Sequence, residues 1–235
     1  MIGIALVAVA SYLLGSIPTS IIVGRLFFGK DLREIGSGNA GGTNAFRAFG
    51  WKGGVPTILV DIGKGAAATL LASQLPAALS LPTPVPLEVV RILAGCAAVV
   101  GHVWTVFAGF RGGKGVATAA GMILSLYPMA LLLSAVVFAI TLFSTGIVSV
   151  ASMTAAVLFP AVLLVLGALG VSVVSPILFW FSIPVALLIV LTHRANIRRL
   201  ISGTENRFPR LAIVQRIVRR TASRRTEGAQ PPAST

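Results

Sequence analysis

Apolar runs long enough to cross a lipid bilayer dominate this chain and fix its class before any motif is read. A membrane-crossing helix needs roughly 20 largely apolar residues. Runs at 2–23, 55–78, 89–107, 147–169 and 176–192 meet that need. A sixth run, 116–143, is too long for one upright helix and short for two. Pro128, near its middle, lacks a backbone N–H and predicts a break there. Composition agrees: 56% of the 235 residues are hydrophobic and only 11% are charged, against about 25% charged in soluble domains. The first run lacks a basic leader and a small-residue cleavage site, so it reads as a retained span.

Charge placement sets the topology. The chain holds 19 Lys and Arg against 6 Asp and Glu, a net charge of +13. In a soluble protein that excess would suggest a nucleic-acid partner. Here nearly all of it flanks apolar runs, which is the pattern that orients membrane spans, and no nucleic acid is expected. Segments 24–52 and 108–115 and the tail from His193 hold 17 of the 19 basic residues. Placing all three on the cytoplasmic side requires 116–143 to form two short helices. The expectation is an all-α polytopic membrane protein of about seven transmembrane helices, with the N-terminus outside and the C-terminus cytoplasmic. A membrane-embedded domain covers 1–207 and a basic tail covers 208–235. In that tail, 208–225 alternates apolar residues with arginines and suits a helix on an anionic surface; residues 228–235 read as disordered. Cys96, the one cysteine, can form neither an intrachain disulfide nor a metal cluster, and no metal is expected.

The polar residues concentrate in few places. The first cluster contains Gly36, Ser37, Gly38, Asn39, Gly41, Thr43, Asn44 and Arg47. Glycines let backbone N–H groups approach a ligand, consecutive N–H groups form an anion nest, and Arg47 adds a planar fork suited to phosphate oxygens. A flexible loop with an orienting arginine is the competing reading. The second cluster is Arg111, Gly112, Gly113, Lys114 and Gly115, just before a predicted helix start at Val116. Helix N-termini favour phosphate, and Lys114 supplies a full charge. The G-x-x-x-x-G-K-[ST] spacing of nucleotide-binding loops is absent, and a short turn with orienting charge competes.

The third element pairs His193 with Asn196 on one helical face, with Glu205 following among arginines. Ion pairing of Glu205 with Arg198, Arg199 or Arg207 is the simpler role for it. Within the apolar runs, Asp61 and Lys64 lie three apart, where an ion pair would offset their burial. His102, Ser149 and Ser152 fall at the same end of the bundle as the glycine clusters. Each alone could be glue between helices.

Taken in order, these segments resemble the PlsY family, the bacterial acyl-phosphate:glycerol-3-phosphate acyltransferases. The matching residues are Gly36-Ser37-Gly38-Asn39 with Gly41, Thr43, Asn44 and Arg47, then Asp61, Lys64 and Gly65, then Gly101-His102, Phe107 and the run from Gly112 to Thr118, then His193, Asn196-Ile197, Arg199-Leu200 and Glu205. Departures are Thr105 where proline is usual, Ala40 and Gly42 in the first motif, and Ile147 where an aromatic is frequent. The resemblance implies a multi-pass protein of the bacterial inner membrane with its active site facing the cytoplasm. It implies acyl transfer from acyl phosphate to the 1-hydroxyl of glycerol 3-phosphate, giving lysophosphatidate and phosphate. It implies no cofactor, and a donor supplied by the soluble enzyme that makes acyl phosphates. On that reading Ser37, Arg47 and Lys114 hold phosphates with the backbone of Gly38, Asn39, Gly41, Thr43, Asn44, Gly112, Gly113 and Gly115. His193 is a candidate base or phosphate donor, with Asn196 and Ser149 as partners. Asp61, Lys64, His102 and Glu205 support them.

No histidine is followed at the fifth position by aspartate, which excludes the H-x-x-x-x-D type of glycerol phosphate acyltransferase. Two other classes compete: a membrane transporter of a phosphorylated metabolite, and a phosphatase acting on lipid phosphates. Polar groups at one face rather than the midplane, and no evident inverted repeat, weigh against the transporter.

Overall fold

The computed structural model describes residues 1–171, 174–209 and 211–213, and among them every regular element is helical. Helices α1 (Ile2–Gly15) and α2 (Thr19–Phe28) lead to α3 (Gly42–Leu70), followed by the short α4 (Leu75–Ala78). Then come α5 (Leu87–Val103), α6 (Val116–Leu126), α7 (Pro128–Thr145), α8 (Val148–Ala168), α9 (Pro176–Thr192) and α10 (Arg194–Ile201). Among the described residues, five helical stretches are long and apolar enough to cross a membrane, and the α9–α10 pair, bent by 56°, makes a sixth if it is one span. The break at Pro128 falls where the sequence places it, and α6 is the product. With 11 residues, at 1.5 Å per residue, α6 is too short to cross a core of about 30 Å alone. Large apolar side chains such as Leu26, Phe27, Leu59, Leu132, Ile140 and Trp180 remain exposed, as a lipid-facing surface requires.

Two expectations about element bounds change. The first run is not one helix over 2–23: it breaks at Ser16–Pro18 because Pro18 cannot donate to the helical ladder. The carbonyls freed there find other donors. Thr105 Oγ1 donates to the Ser16 carbonyl, and Lys64 Nζ donates to the Ile17 carbonyl at 3.0 Å. Neighbouring helices thus satisfy the break, as an apolar surround demands. The second change concerns 24–52, read as a connecting segment. Its second half is already helical from Gly42, so Thr43, Asn44 and Arg47 sit on the first turns of α3, which kinks at Gly50.

Small residues bring two helix pairs into backbone contact. A Cβ on Gly15 would lie 2.1 Å from the Ala98 carbonyl oxygen, and one on Gly101 the same distance from that of Tyr12, so α1 and α5 touch directly. Gly65 and Gly121 do the same for α3 and α6, where added Cβ atoms would lie 2.0 Å from Thr118 O and 1.9 Å from Ile62 O. Close approach through small residues is the usual basis of helix association in lipid. The larger side chains of Ile92, Met122, Phe159, Leu163 and Leu178 pack the other half of the bundle. The expected surface helix over 208–225 falls mostly outside the described residues, which end at 213.

Candidate active site

Asn44 organises the first glycine cluster from the start of α3. Its Nδ2 donates to the carbonyls of Ile35 (2.9 Å) and Asn39 (3.1 Å), with a longer bond to Leu32, while its Oδ1 accepts from the Ser37 backbone N–H. The loop bends around this amide because Gly36 and Gly38 take φ of +62° and +68°, open at little cost only to glycine. The Ser37 hydroxyl makes no hydrogen bond among the described residues, which leaves it available to a ligand. On the near side Asp31 closes the turn, accepting from Arg33 and from Arg25 at 2.7–2.9 Å. Hydrogen bonds from Arg33 above all hold its carboxyl well below the usual carboxylate range.

The second cluster lies against the first. A Cβ on Gly41 would come within 4.0 Å of Gly113 Cα. Gly112 and Gly113 must both be glycine here, since added Cβ atoms would meet the His102 carbonyl oxygen at 2.0 Å and His102 Nε2 at 2.1 Å. Their N–H groups donate to the carbonyls of Val103 and His102. Lys114 is then tied to the end of the chain twice: Thr192 Oγ1 donates to its carbonyl at 3.1 Å, and its Nζ donates to Asn196 Oδ1.

Asn196 passes the contact on. Its Nδ2 donates to Glu205 Oε1 (2.6 Å), which also accepts from Ser149 Oγ at 2.8 Å, while Arg199 Nε donates to Glu205 Oε2 at 2.7 Å. Burial would raise the Glu205 pKa, but the bonds from Asn196, Ser149 and Arg199 outweigh it and keep the group ionised. Burial pushes Lys114 down to about 8, with Arg199 and Arg47 acting in the same direction and Glu205 against them. Arg47 in turn feels the charges of Glu205 and Arg199. Arg199 pairs directly with Glu205, Lys114 reaches it through Asn196, and Arg47 lies near enough to feel its charge, so the cluster carries net positive charge. The sequence proposed three alternative arginines for Glu205, and Arg199 is the one that pairs.

His193 joins α9 to α10 and is 2% exposed. Its Nδ1 faces the Ile189 carbonyl at 2.7 Å, which assigns the proton to that nitrogen and leaves Nε2 as an acceptor.

Beneath Gly113 lies a second, fully buried polar group. Asp61 Oδ1 accepts from Lys64 (2.9 Å) and Thr19 (3.0 Å) and stands 3.6 Å from His102 Nδ1. These residues, with Ile17, Pro18, Thr105 and both glycines, enclose a cavity of about 10 Å³, about the size that holds one water. The expected Asp61–Lys64 pair is present, and its purpose is visible: it supports the helix break at Pro18 and the floor of the second loop. Beside it, sharing Pro18, opens a groove of about 480 Å³ lined by Ile21, Ile22, Phe107 and Ala108, with Arg25 and Arg33 also on its lining.

A family model described as glycerol-3-phosphate acyltransferase matches residues 5–203. This chain belongs to the glycerol-3-phosphate acyltransferase family. It is 45% identical to the glycerol-3-phosphate acyltransferase of Chlorobium limicola over 88% of this chain and 97% of that one. It is 46% identical to that of Chlorobaculum parvum, with 87% and 96% covered. Two crystal structures of PlsY (YgiH), an integral membrane glycerol 3-phosphate acyltransferase, share its fold. The glycerol 3-phosphate form has a TM-score of 0.73 at 35% identity, covering 87% of this chain and 95% of that one. The lysophosphatidic acid form gives 0.72 at 33%, covering 90% and 98%.

Of the residues singled out from sequence in this family member, Lys114, Asn196, Ser149 and Glu205 form one bonded chain, with Arg47 and His193 within electrostatic reach. Asp61, Lys64 and His102 form the separate layer below. Sequence reasoning missed Thr19 and Thr192. Pro18-Thr19 inside an apolar run was the available signal for the first.

Proposed function

We propose that this chain transfers an acyl group from acyl phosphate to the 1-hydroxyl of glycerol 3-phosphate, at the cytoplasmic face of a bacterial inner membrane. The observation that carries this reading is the convergence of Arg47, Lys114 and Arg199 around Glu205, beside two glycine loops and the N-termini of α3 and α6. Both reactants carry phosphate, and this is chemistry that recognises phosphate. Ser37, Arg47 and Lys114 clamp the two phosphate groups, and backbone N–H groups at Gly42 and Thr43 and at Gly115 complete the cradle, while those of Gly112 and Gly113, spent on the Val103 and His102 carbonyls, shape the second loop. The acyl chain lies in the groove beside Ile22 and Phe107, open toward lipid. The donor reaches the membrane from a soluble enzyme that makes acyl phosphates.

No enzyme nucleophile is needed, because acyl phosphate is already an activated anhydride. The glycerol 1-oxygen attacks the acyl carbon, and an ester C–O bond forms. The bond between the acyl carbon and the phosphate oxygen then breaks. The departing phosphate takes the proton from the attacking hydroxyl, so lysophosphatidate and inorganic phosphate account for every atom. His193 Nε2, as an acceptor, aligns that hydroxyl. Holding two reactants in register supplies roughly 7–11 kcal/mol toward the barrier.

One assay separates this reading from its rivals: phosphate release from acyl phosphate by the protein in lipid vesicles, with and without glycerol 3-phosphate. The transferase releases phosphate only when the acceptor is present and forms lysophosphatidate in equal amount. Release without acceptor would mark a phosphatase. Uptake of glycerol 3-phosphate without release would mark a transporter.

A further inference from the structure

The chain after α10 crosses back over the site. Phe208 N–H donates to the Gly146 carbonyl at 2.7 Å, and Ala212, at 8% exposure, packs beside the same glycine. Gly146 has φ of +70°, and a Cβ there would lie 3.0 Å from both the Phe208 carbonyl oxygen and Ala212 Cβ. The turn between α7 and α8 is therefore a seat for this strap. The strap delivers Glu205 to the cluster and, three residues on, the Phe208 ring to Arg47. The Arg47 guanidinium lies over that ring, 5.0 Å from its centroid, and the Phe46 ring meets it edge-on at 6.4 Å.

Arg47 makes no hydrogen bond or ion pair within contact distance among the described residues, and its buried Nε has no partner. An arginine held by a carboxylate would have its charge offset and its donors occupied by that partner. A ring face fixes the guanidinium plane by cation–π attraction and leaves every N–H free. We propose that Phe208 is a positioning residue that holds the Arg47 fork in place for a substrate phosphate without consuming any of its donors. This rests on the reading of Arg47 as a phosphate clamp. The sequence placed Phe208 at the head of the basic tail, so on this proposal the site extends into that segment.

The test uses the full-length protein in detergent, assayed with acyl phosphate and glycerol 3-phosphate. Phe208→Leu removes the ring face and keeps bulk; Phe208→Trp keeps a ring face. Gly146→Ala unseats the strap while leaving Phe208 and Arg47 intact, and it decides the matter should Phe208→Leu unfold. The expected result is a fall of about tenfold in kcat/KM for Phe208→Leu and for Gly146→Ala, with Phe208→Trp within threefold of wild type. In an Arg47→Lys background, Phe208→Leu should cost less than twofold, because the flat fork it holds is gone. Two results overturn the proposal: Phe208→Leu and Gly146→Ala both within twofold of wild type, or a Phe208→Leu loss that is undiminished in Arg47→Lys. If the wild-type protein transfers no acyl group, the functional reading fails instead. Calorimetric affinity for glycerol 3-phosphate and inorganic phosphate then decides the role of Phe208, and unchanged affinities in both variants overturn it.

Discussion

Lys114 is charged at neutral pH but close to losing its proton, because burial among other cations pushes it down to about 8. A phosphate clamp needs the ammonium form, present below that value and lost as pH rises through it. The pH profile of kcat/KM is therefore expected to fall above about pH 8. Lys114→Arg should move the fall upward while lowering the plateau, since a planar fork does not reproduce the bond to Asn196. A fall at the same pH in Lys114→Arg would assign it to another group. His193 gives a second prediction. If the leaving phosphate takes the proton, His193→Asn, which can still accept a hydrogen bond, keeps kcat within about tenfold of wild type. A general base would cost about 10²–10⁴.

At the scale of elements, the break between α1 and α2 depends on groups far away in sequence. Thr105 is 2% exposed and spends its hydroxyl on the Ser16 carbonyl. Thr105→Val should cost about 1–3 kcal/mol of stability, because a buried carbonyl is left unsatisfied; thermal unfolding in detergent checks this. Gly121→Ala should cost about as much through overpacking at the α3–α6 contact. Apolar length and Pro128 made most helices legible in the sequence. The Ser16–Pro18 break was not, since its donors, Lys64 and Thr105, lie outside any local window. The glycine clusters were legible as candidate anion sites because the chemistry that suggests them is local, and the structure brings the two loops together. The pairing of Lys114 with Asn196, and of Ser149 with Glu205, was not, because no spacing rule connects residues 82 and 56 positions apart; the Glu205–Arg199 pair, six apart, was among the alternatives the sequence offered.

For the whole molecule, the charge pattern predicts that the glycine clusters and the end of α10 share one side of the bilayer, and that the loop at 80–86, which holds Pro82, Pro84 and Pro86 and no Lys or Arg, lies on the other. Cysteines introduced at the exposed positions Thr83 and Ser202 should label from opposite sides with an impermeant thiol reagent. Labelling from the same side would contradict the topology. On the proposed placement of the acyl chain in the groove beside Ile22, Ile22→Trp is expected to shift preference toward shorter acyl chains in competition assays.

The central claim is that Arg47, on α3, and Lys114, in the loop before α6, are brought to one cluster and act together on the substrate phosphates. Arg47→Ala, Lys114→Ala and the double variant, assayed for acceptor-dependent lysophosphatidate formation at saturating acyl phosphate, test it directly. The account predicts a loss on the order of 10² for each single variant, and a double variant far less impaired than the product of the two losses. Near wild-type rates in both single variants, or losses that multiply as for independent sites, would contradict it.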